Sequence, residues 1–405
     1  MATNDPPFIL VLNCGSSSIK FALFEAGAGE PARRPAWNGK VQGIGGPDPD
    51  FGARDVPVVP VPLDPAHPYR AALQLIREHT LRWLAGRPLA AVAHRVVHGG
   101  SKYFAPVRVD AQVLADLRSY VPLAPLHQPF ALEAIEILLA ERPDLPQVAC
   151  FDTGFHHTLP RVEQMLPLSW DAWQRGLRRY GFHGLSYEYI AAALAERHGR
   201  EEAGRARTVV AHLGSGASLC AMQGLESVAT TMGFSALDGL MMGTRTGALD
   251  PGAVLYLMEI EKLSLAQVGR ALYHESGLLG ISGLSSDVRV LLAREDEDSE
   301  AGERCRAALE LYVRRIVREI GALAAVLGGL DRLVFTAGVG EHQPAIRARV
   351  CTALAWLGVE VDEAANRAHA ARIGTSESRV DVAVEPTNEE WVAARDAAGL
   401  VWSSP

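Results

Sequence analysis

The stretch FILVLNCGSSSIKFALFE, residues 8–25, decides the fold. Phe8–Asn13 is a short apolar run, CGSSS is a Gly/Ser turn, and IKFALFE alternates roughly, so the segment reads as strand, turn, strand. The pattern returns in the second half of the chain: Thr208–Leu213 is a strand, GSGA a turn, and Ser218–Met222 a strand. Aligning Gly15 with Gly214 sets LVLNCGSSS against VVAHLGSGA, 199 residues apart in a chain of 405. Two such hairpins half a chain apart point to internal duplication.

Working outward, residues 26–68 are rich in Gly, Pro and Asp and read as loops and short strands. A helix is predicted from about Tyr69 to Leu84. Ala91–Val97 is predicted as a buried strand ending at Gly99-Gly100. In the second half, Leu309, Val313, Ile316, Ile320, Leu323 and Leu327 recur at spacings of 4, 3, 4, 3 and 4, one apolar stripe on a helix over Arg304–Leu327. Gly328-Gly329 ends it. Leu333–Thr336 then reads as a strand, AGVGE at 337–341 as a Gly turn, and Pro344 as the start of another helix. Strands and helices alternating throughout argue for an α/β fold.

Composition narrows the function. Charged residues are 21% and hydrophobic ones 48%, with a net charge of -8, which excludes a mainly disordered chain and argues against a nucleic-acid coat or a polybasic membrane binder. Five scattered cysteines without a C-x-x-C pair suit reduced thiols in a cytoplasm better than a disulfide framework. The first residues lack a signal-peptide pattern, and the Ile320–Leu330 apolar run is far short of the ~20 residues a membrane helix needs. Lysine occurs only at 20, 40, 102 and 262, which makes Lys20 conspicuous.

Three Gly-rich turns follow apolar strands: NCGSSS (13–18), HLGSG (212–216) and AGVGE (337–341). Such turns expose backbone N–H groups and suit a phosphate or nucleotide cradle, although each alone is also ordinary turn geometry. None matches the P-loop or the Rossmann fingerprint. Arg95 ends a strand in AHRVVHGG, and Arg245 sits in the apolar stretch LMMGTRTGALDPG. A cation in such surroundings has a partner, either a structural carboxylate or an anionic ligand. His183 lies between Gly181 and Gly184 and reads as a core residue or a functional one. Asp152 follows an apolar strand, as an active-site carboxylate or a helix N-cap does. Glu389 and Glu390 fit the first turn of a helix.

The motifs LVLNCGSSSIKF, HRVVHGG, LAPLHQP, FDTGFHHTLP, YGFHGLS, HLGSGAS, LMMGTRTGALDPG, GISGLSSDVR, GVGEHQPAIR and PTNEEWVAARD, in that order over residues 8 to 396, closely resemble the acetate kinase family. The resemblance implies a fold of two duplicated actin-like (ribonuclease H-like) domains with a nucleotide cleft between them. It divides the chain into 1–152 plus 386–405, with the C-terminal helix returning to the first domain, and 153–385 as the nucleotide-binding second domain. It implies Mg2+-dependent, reversible phosphoryl transfer between ATP and acetate, giving ADP and acetyl phosphate, with Mn2+ as a substitute metal. It also implies a cytoplasmic homodimer without nucleic-acid or membrane partners.

Residue by residue, the resemblance assigns metal binding to Asn13 and Glu389, and ATP binding to Lys20. Arg95 matches the arginine that binds the carboxylate substrate. Asp152 matches the essential aspartate, and His183 and Arg245 the transition-state stabilisers. His212, Leu213, Gly214, Ser215 and Gly216 match the phosphate loop, and Asp287, Val288 and Arg289 the adenosine contacts. Gly338, Val339, Gly340, Glu341 and His342 match a further nucleotide loop. Val97, Leu126, Phe182 and Ala236 match the apolar acyl pocket. The chain departs from the family pattern in several places. Ser215 and His342 replace usual Asn residues, Gln128 replaces Asn, Ala248 replaces Asp, and Ala236 replaces Pro. Tyr187 stands where a second His is common, so no role carries over to it.

The chemistry suits these residue types. A carboxylate nucleophile has no proton to remove, so the obstacle is the approach of one anion to another. Positioning and charge stabilisation overcome it. Arginine forks match carboxylate and phosphoryl oxygens. Asn13, Glu389 and, through water, Asp152 offer the oxygen ligands Mg2+ takes. Direct in-line transfer is expected, with closure of the two domains excluding water. The alternatives are a propionate or butyrate kinase, a non-catalytic actin-like nucleotide-binding protein, and an exopolyphosphatase-like hydrolase.

Overall fold

The opening stretch forms strands β1 (Phe8–Cys14) and β2 (Ser18–Glu25), antiparallel, with Asn13 opposite Lys20 and Cys14 opposite Ile19. The structure is a computed structural model and describes residues 6–27, 29–125 and 127–402. The Gly/Pro-rich region supplies β3 (Trp37–Gln42), β4 (Asp50–Ala53) and β5 (Val56–Pro60), which extend the hairpin antiparallel. On the other side of β1 lie β6 (Leu89–Val96) and β8 (Gln147–Phe151), both parallel to it, with the short β7 (Val107–Arg108) at the edge. The sheet order is β5-β4-β3-β2-β1-β6-β8-β7.

The second sheet repeats this plan. Strands β9 (Thr208–Leu213), β10 (Ala217–Gln223) and β11 (Glu226–Thr230) form an antiparallel meander. Strands β12 (Arg332–Thr336) and β13 (Asp381–Val384) add on in parallel, giving the order β11-β10-β9-β12-β13. Directions and order match β3-β2-β1-β6-β8, so the duplication suggested by the two hairpins is present in the topology. The central strands β8, β9 and β12 are buried at every residue, which is why they read as continuous apolar runs rather than alternating ones.

The chain divides into a unit of residues 1–155 with 388–405 and a unit of residues 156–387. In the first, the helix Glu389–Trp402 packs on β1 and β6. It is pinned by Trp391 Nε1 donating to the Pro31 carbonyl at 2.8 Å. In the second, the striped helix runs over Glu300–Leu327, starting earlier than predicted because Ser299 caps it, accepting from the Gly302 N–H. Leu309, Ile316, Ile320, Leu323 and Leu327 are buried as the stripe requires, with Tyr312 rather than Val313 completing the buried face. Gly328 ends the helix at φ 71°, a left-handed conformation glycine adopts without strain.

The helix predicted from about Tyr69 to Leu84 is present as Pro68–Leu84. Two sequence expectations need correction. The strand predicted over Ala91–Val97 spans Leu89–Val96, which leaves Val97 beyond its end. Residues 337–341 are not a Gly turn but open a short helix, Ala337–His342. Ala337 makes the left-handed turn at φ 64°, and the Glu341 carboxylate accepts from the Ala337 and Thr387 N–H groups at 2.8 and 3.1 Å, closing the helix on itself. Among the described residues no helix is long and apolar enough to cross a membrane.

Candidate active site

In the first unit, Arg95 sits near the C-terminal end of β6, opposite Cys150 on β8, and Asp152 follows β8 directly. The Arg95 fork donates to Asp152 through Nε (to Oδ1, 2.8 Å) and Nη2 (to Oδ2, 2.8 Å). Its Nη1 donates to Glu389 Oε2 at 2.6 Å. Asp152 is therefore an ion-pair partner and not a helix cap. Burial alone would lower the Arg95 pKa, but the Asp152 and Glu389 carboxylates outweigh it and hold the guanidinium charged. Glu389, the first residue of the C-terminal helix, is pushed up to about 7 by burial, then by the negative charges of Asp152 and Glu390. Arg95 and Lys20 oppose that shift.

Asn13, next to last in β1, is half-buried, with the exposed Lys20 opposite it. Lys20 lines a cavity of about 550 Å³ with Asn38, Lys40, Arg54, Asn388 and Glu390. Among the described residues no group of three or more His, Cys, Asp or Glu is placed to hold a metal ion. The amide of Asn13 and the carboxylates of Glu389 and Asp152 nevertheless fit a hard cation. All are oxygen donors, the ligand type such a cation takes.

In the second unit, His183 caps the helix Gly184–His198 with a left-handed backbone, φ 61°, costly for a residue with a side chain. Its Nδ1 lies 2.8 Å from Ser218 Oγ, and Ser218 Oγ lies 2.5 Å from the Tyr187 hydroxyl. The His183 ring stacks on His212, centroids 4.1 Å apart and 16° from parallel. His212 is next to last in β9 and has its own Nδ1 2.8 Å from Ser186 Oγ. The turn 214–216 closes through the Gly214 N–H and the Gly216 carbonyl at 3.0 Å. At Gly216 a Cβ would come within 3.2 Å of His183 Nε2 and 3.7 Å of Arg245 Nη1, so any side chain there crowds the His183 ring. Arg245 Nη1 donates to the Ala236 carbonyl at 3.0 Å, and burial lowers the Arg245 pKa.

The preceding RYGFHG turn is braced by His156, which bonds Ser227 Oγ and the Phe182 carbonyl at 2.8 and 3.0 Å. Burial brings His156 down to about 4, so it braces as a neutral ring. Asp287 caps the helix Val288–Leu292 and pairs with the exposed Arg289, Nη2 to Oδ2 at 2.6 Å. That hydrogen bond lowers the Asp287 pKa. Leu213 and Val288 are buried, whereas Ser215, Gly338 and His342 are exposed and Val339 is half-buried. Gly340 is buried, its carbonyl accepting from Arg347 Nη1 at 2.8 Å.

The structure thus groups Arg95, Asp152 and Glu389 in one unit, and His183, His212, Gly216 and Arg245 in the other. Of the expected acyl pocket, Val97 is half-buried in the first unit, Phe182 is buried and Ala236 half-buried in the second, and Leu126 lies outside the described residues. Sequence reasoning missed Ser186, Ser218 and Tyr187. It also gave Gln128 no structural role, yet this side chain is fully buried, accepting from the His98 N–H and donating to the His98 carbonyl at 3.1 and 2.9 Å. Ser218 had one signal: it faces His212 across the hairpin.

Residues 8–395 match the sequence model described as the Acetokinase family. An acetate kinase of Rhodopseudomonas palustris is 48% identical over 399 residues, covering 96% of each chain. A crystal structure of Porphyromonas gingivalis acetate kinase superposes with a TM-score of 0.83 at 36% identity, over 96% of this chain and 98% of that one. A propionate kinase from Francisella tularensis gives a TM-score of 0.87 at 32% identity, with the same coverages.

Proposed function

The chain belongs to the acetokinase family, and from that premise we propose how its own residues carry phosphoryl transfer between ATP and acetate. The enzyme is an ATP:acetate phosphotransferase; ATP and acetate give ADP and acetyl phosphate, and the reverse. The observation that carries the residue assignment is the approach of His183 Nε2 and Arg245 Nη1 to the same Gly216 backbone. A rigid glycine turn flanked by two N–H donors suits the three equatorial oxygens of a transferring phosphoryl group.

The acetate carboxylate needs no base. Arg95 holds it: three of its five N–H donors serve Asp152 and Glu389, which leaves two for the substrate. His183 and Arg245 take up the charge that develops on the phosphoryl oxygens in direct in-line transfer. Asp152 fixes the Arg95 fork. Asn13, Glu389 and Asp152 would hold Mg2+, which when bound neutralises phosphate charge. The 212–216 turn and residues 338–342 serve the nucleotide phosphates, Asp287–Arg289 serve the adenosine, and Lys20 serves ATP.

A hydroxamate assay with acetate, propionate and butyrate, with and without Mg2+, tests this assignment. Acetyl hydroxamate that forms only with ATP and Mg2+ is expected; turnover without Mg2+ would remove the metal assignment. Propionate is a second substrate of the same site, favoured by Ala236 at a position of usual Pro and by the likeness to a propionate kinase. The helix Pro251–Glu259 buries none of its residues and, with its flanks, exposes Leu255, Tyr256, Ile260 and Leu265. An apolar face of this kind supports a homodimer. The five cysteines are buried thiols, which fits a cytoplasmic enzyme.

A further inference from the structure

Tyr187 lies where the resemblance assigns nothing, yet it ends a chain of hydrogen bonds that begins at the ring assigned to the phosphoryl group. Tyr187 Oη, Ser218 Oγ and His183 Nδ1 follow one another at 2.5 and 2.8 Å, with both hydroxyl residues fully buried. The acid–base order of these groups sets its direction. A phenol is a far stronger hydrogen-bond acid than an aliphatic alcohol, and a neutral imidazole nitrogen is the best acceptor of the three. The mutually reinforcing arrangement therefore runs from Tyr187 O–H to Ser218 Oγ, and from Ser218 O–H to His183 Nδ1. With Nδ1 accepting, the ring proton resides on Nε2, the nitrogen that faces Gly216.

We propose that Tyr187, acting through Ser218, is a positioning residue that fixes His183 as the neutral Nε2–H tautomer, so that the ring donates to the transferring phosphoryl group without carrying charge. This rests on the assignment of His183 to that group. The surroundings support a neutral ring. An imidazolium at 183 would lie face to face with His212 at 4.1 Å, and Arg245 Nη1 approaches the same turn. The Arg245 guanidinium is the like charge an imidazolium would meet there, and like charges repel strongly away from bulk water. Burial holds the Tyr187 pKa well above its ordinary value, so the phenol keeps the proton it donates. The His183 backbone, held at φ 61°, fixes where the ring starts, and the relay fixes which nitrogen carries the proton.

The test is 15N NMR of the histidine-labelled, ligand-free enzyme, with the His183 signals identified by their loss in His183→Gln. The wild type should show an unprotonated Nδ1 and a protonated Nε2. Tyr187→Phe keeps the ring that packs against His156 and His212. It should populate the Nδ1–H form and lower kcat roughly 10–100-fold, the range for losing a partner that orients an active-site imidazole, with KM for acetate unchanged. Ser218→Ala breaks the same relay from its middle and should act alike, so it carries the test should Tyr187→Phe fold poorly. An Nδ1–H form in the wild type, an unchanged tautomer in both variants, or an unchanged kcat overturns the proposal. Absence of acetate phosphorylation by the wild type would instead strike the assignment beneath it, because the tautomer is read without substrate.

Discussion

The duplicated hairpins put different chemistry at equivalent places. In the first, Asn13 faces Lys20 beside a turn closed from the Gly15 N–H to the Ser18 carbonyl; in the second, His212 faces Ser218 beside a turn one residue shorter. Around the first, charge is handled by charge: Arg95 is held by two carboxylates, and Glu389 is strained towards protonation. Around the second, imidazoles rest on serine hydroxyls and on each other. The shared topology fixes where side chains emerge. The local polar partner decides whether each acts as an ion or as an oriented dipole.

The contrast breaks or holds most visibly in two alanine variants. Arg95→Ala removes the carboxylate fork and strands two acids, so kcat should fall by at least about 10²–10³ and KM for acetate should rise. His183→Ala removes a donor that acts on the transferring group and should lower kcat by about 10²–10³ with little change in KM. Steady-state kinetics on both, with folding checked by circular dichroism, reads the difference. A wild-type KM in Arg95→Ala, or a KM-only effect in His183→Ala, would erase the distinction between the two regions.

The metal prediction sharpens the ionic side. Glu389→Ala and Asn13→Ala each remove an oxygen donor, so half-maximal activity should need roughly tenfold or more Mg2+, while nucleotide binding without metal persists. A Mg2+ titration of each variant measures this. An unshifted curve for Glu389→Ala would leave that residue as the opening of a helix and a partner of Arg95 only.

The elements that set the sheets were legible because they rest on local patterns. Apolar runs broken by glycine marked β1, β2, β9 and β10, and a six-residue stripe marked the helix ending at Leu327. Residues 337–342 were misread because glycine weakens helices in isolation, and the contact that overrides this comes from the Glu341 side chain and Thr387, far along the chain. Motifs single out candidate site residues, but not the side chains that hydrogen-bond to them. Tyr187 and Ser218 lie 31 positions apart, and only folding reveals that they share a hydrogen bond.

Glu389 offers a test of the ionic region free of turnover. Its folded pKa is raised from an ordinary 4.5 to about 7, so the neutral acid is favoured by folding. That contribution is fully present below about 4.5 and is lost as pH rises through about 7. Glu389→Gln does not titrate. Relative to the variant, the wild type should therefore lose up to about 3 kcal/mol between pH 4.5 and pH 8, measured by denaturant unfolding in metal-free buffer. A pH-independent difference between the two proteins would show that the Arg95 pairing compensates fully for the burial of the carboxylate.

The smallest effect concerns the acid's chain length and belongs to the second unit. Ala236 stands where the family usually has Pro, and its carbonyl already anchors Arg245 at 3.0 Å. Among the described residues the Ala236 N–H donates no hydrogen bond, so proline there removes none. What Ala236→Pro adds is a ring and a fixed φ, narrowing the space for one methylene and stiffening the segment that holds Arg245. One methylene in an apolar pocket discriminates by about 1–3 kcal/mol. The propionate-to-acetate ratio of kcat/KM should fall roughly tenfold in Ala236→Pro, the lower end of that range, with acetate turnover retained. Had the pocket width been set elsewhere, the ratio would stay level or rise. A parallel loss for both acids would instead place the effect on the Arg245 anchor.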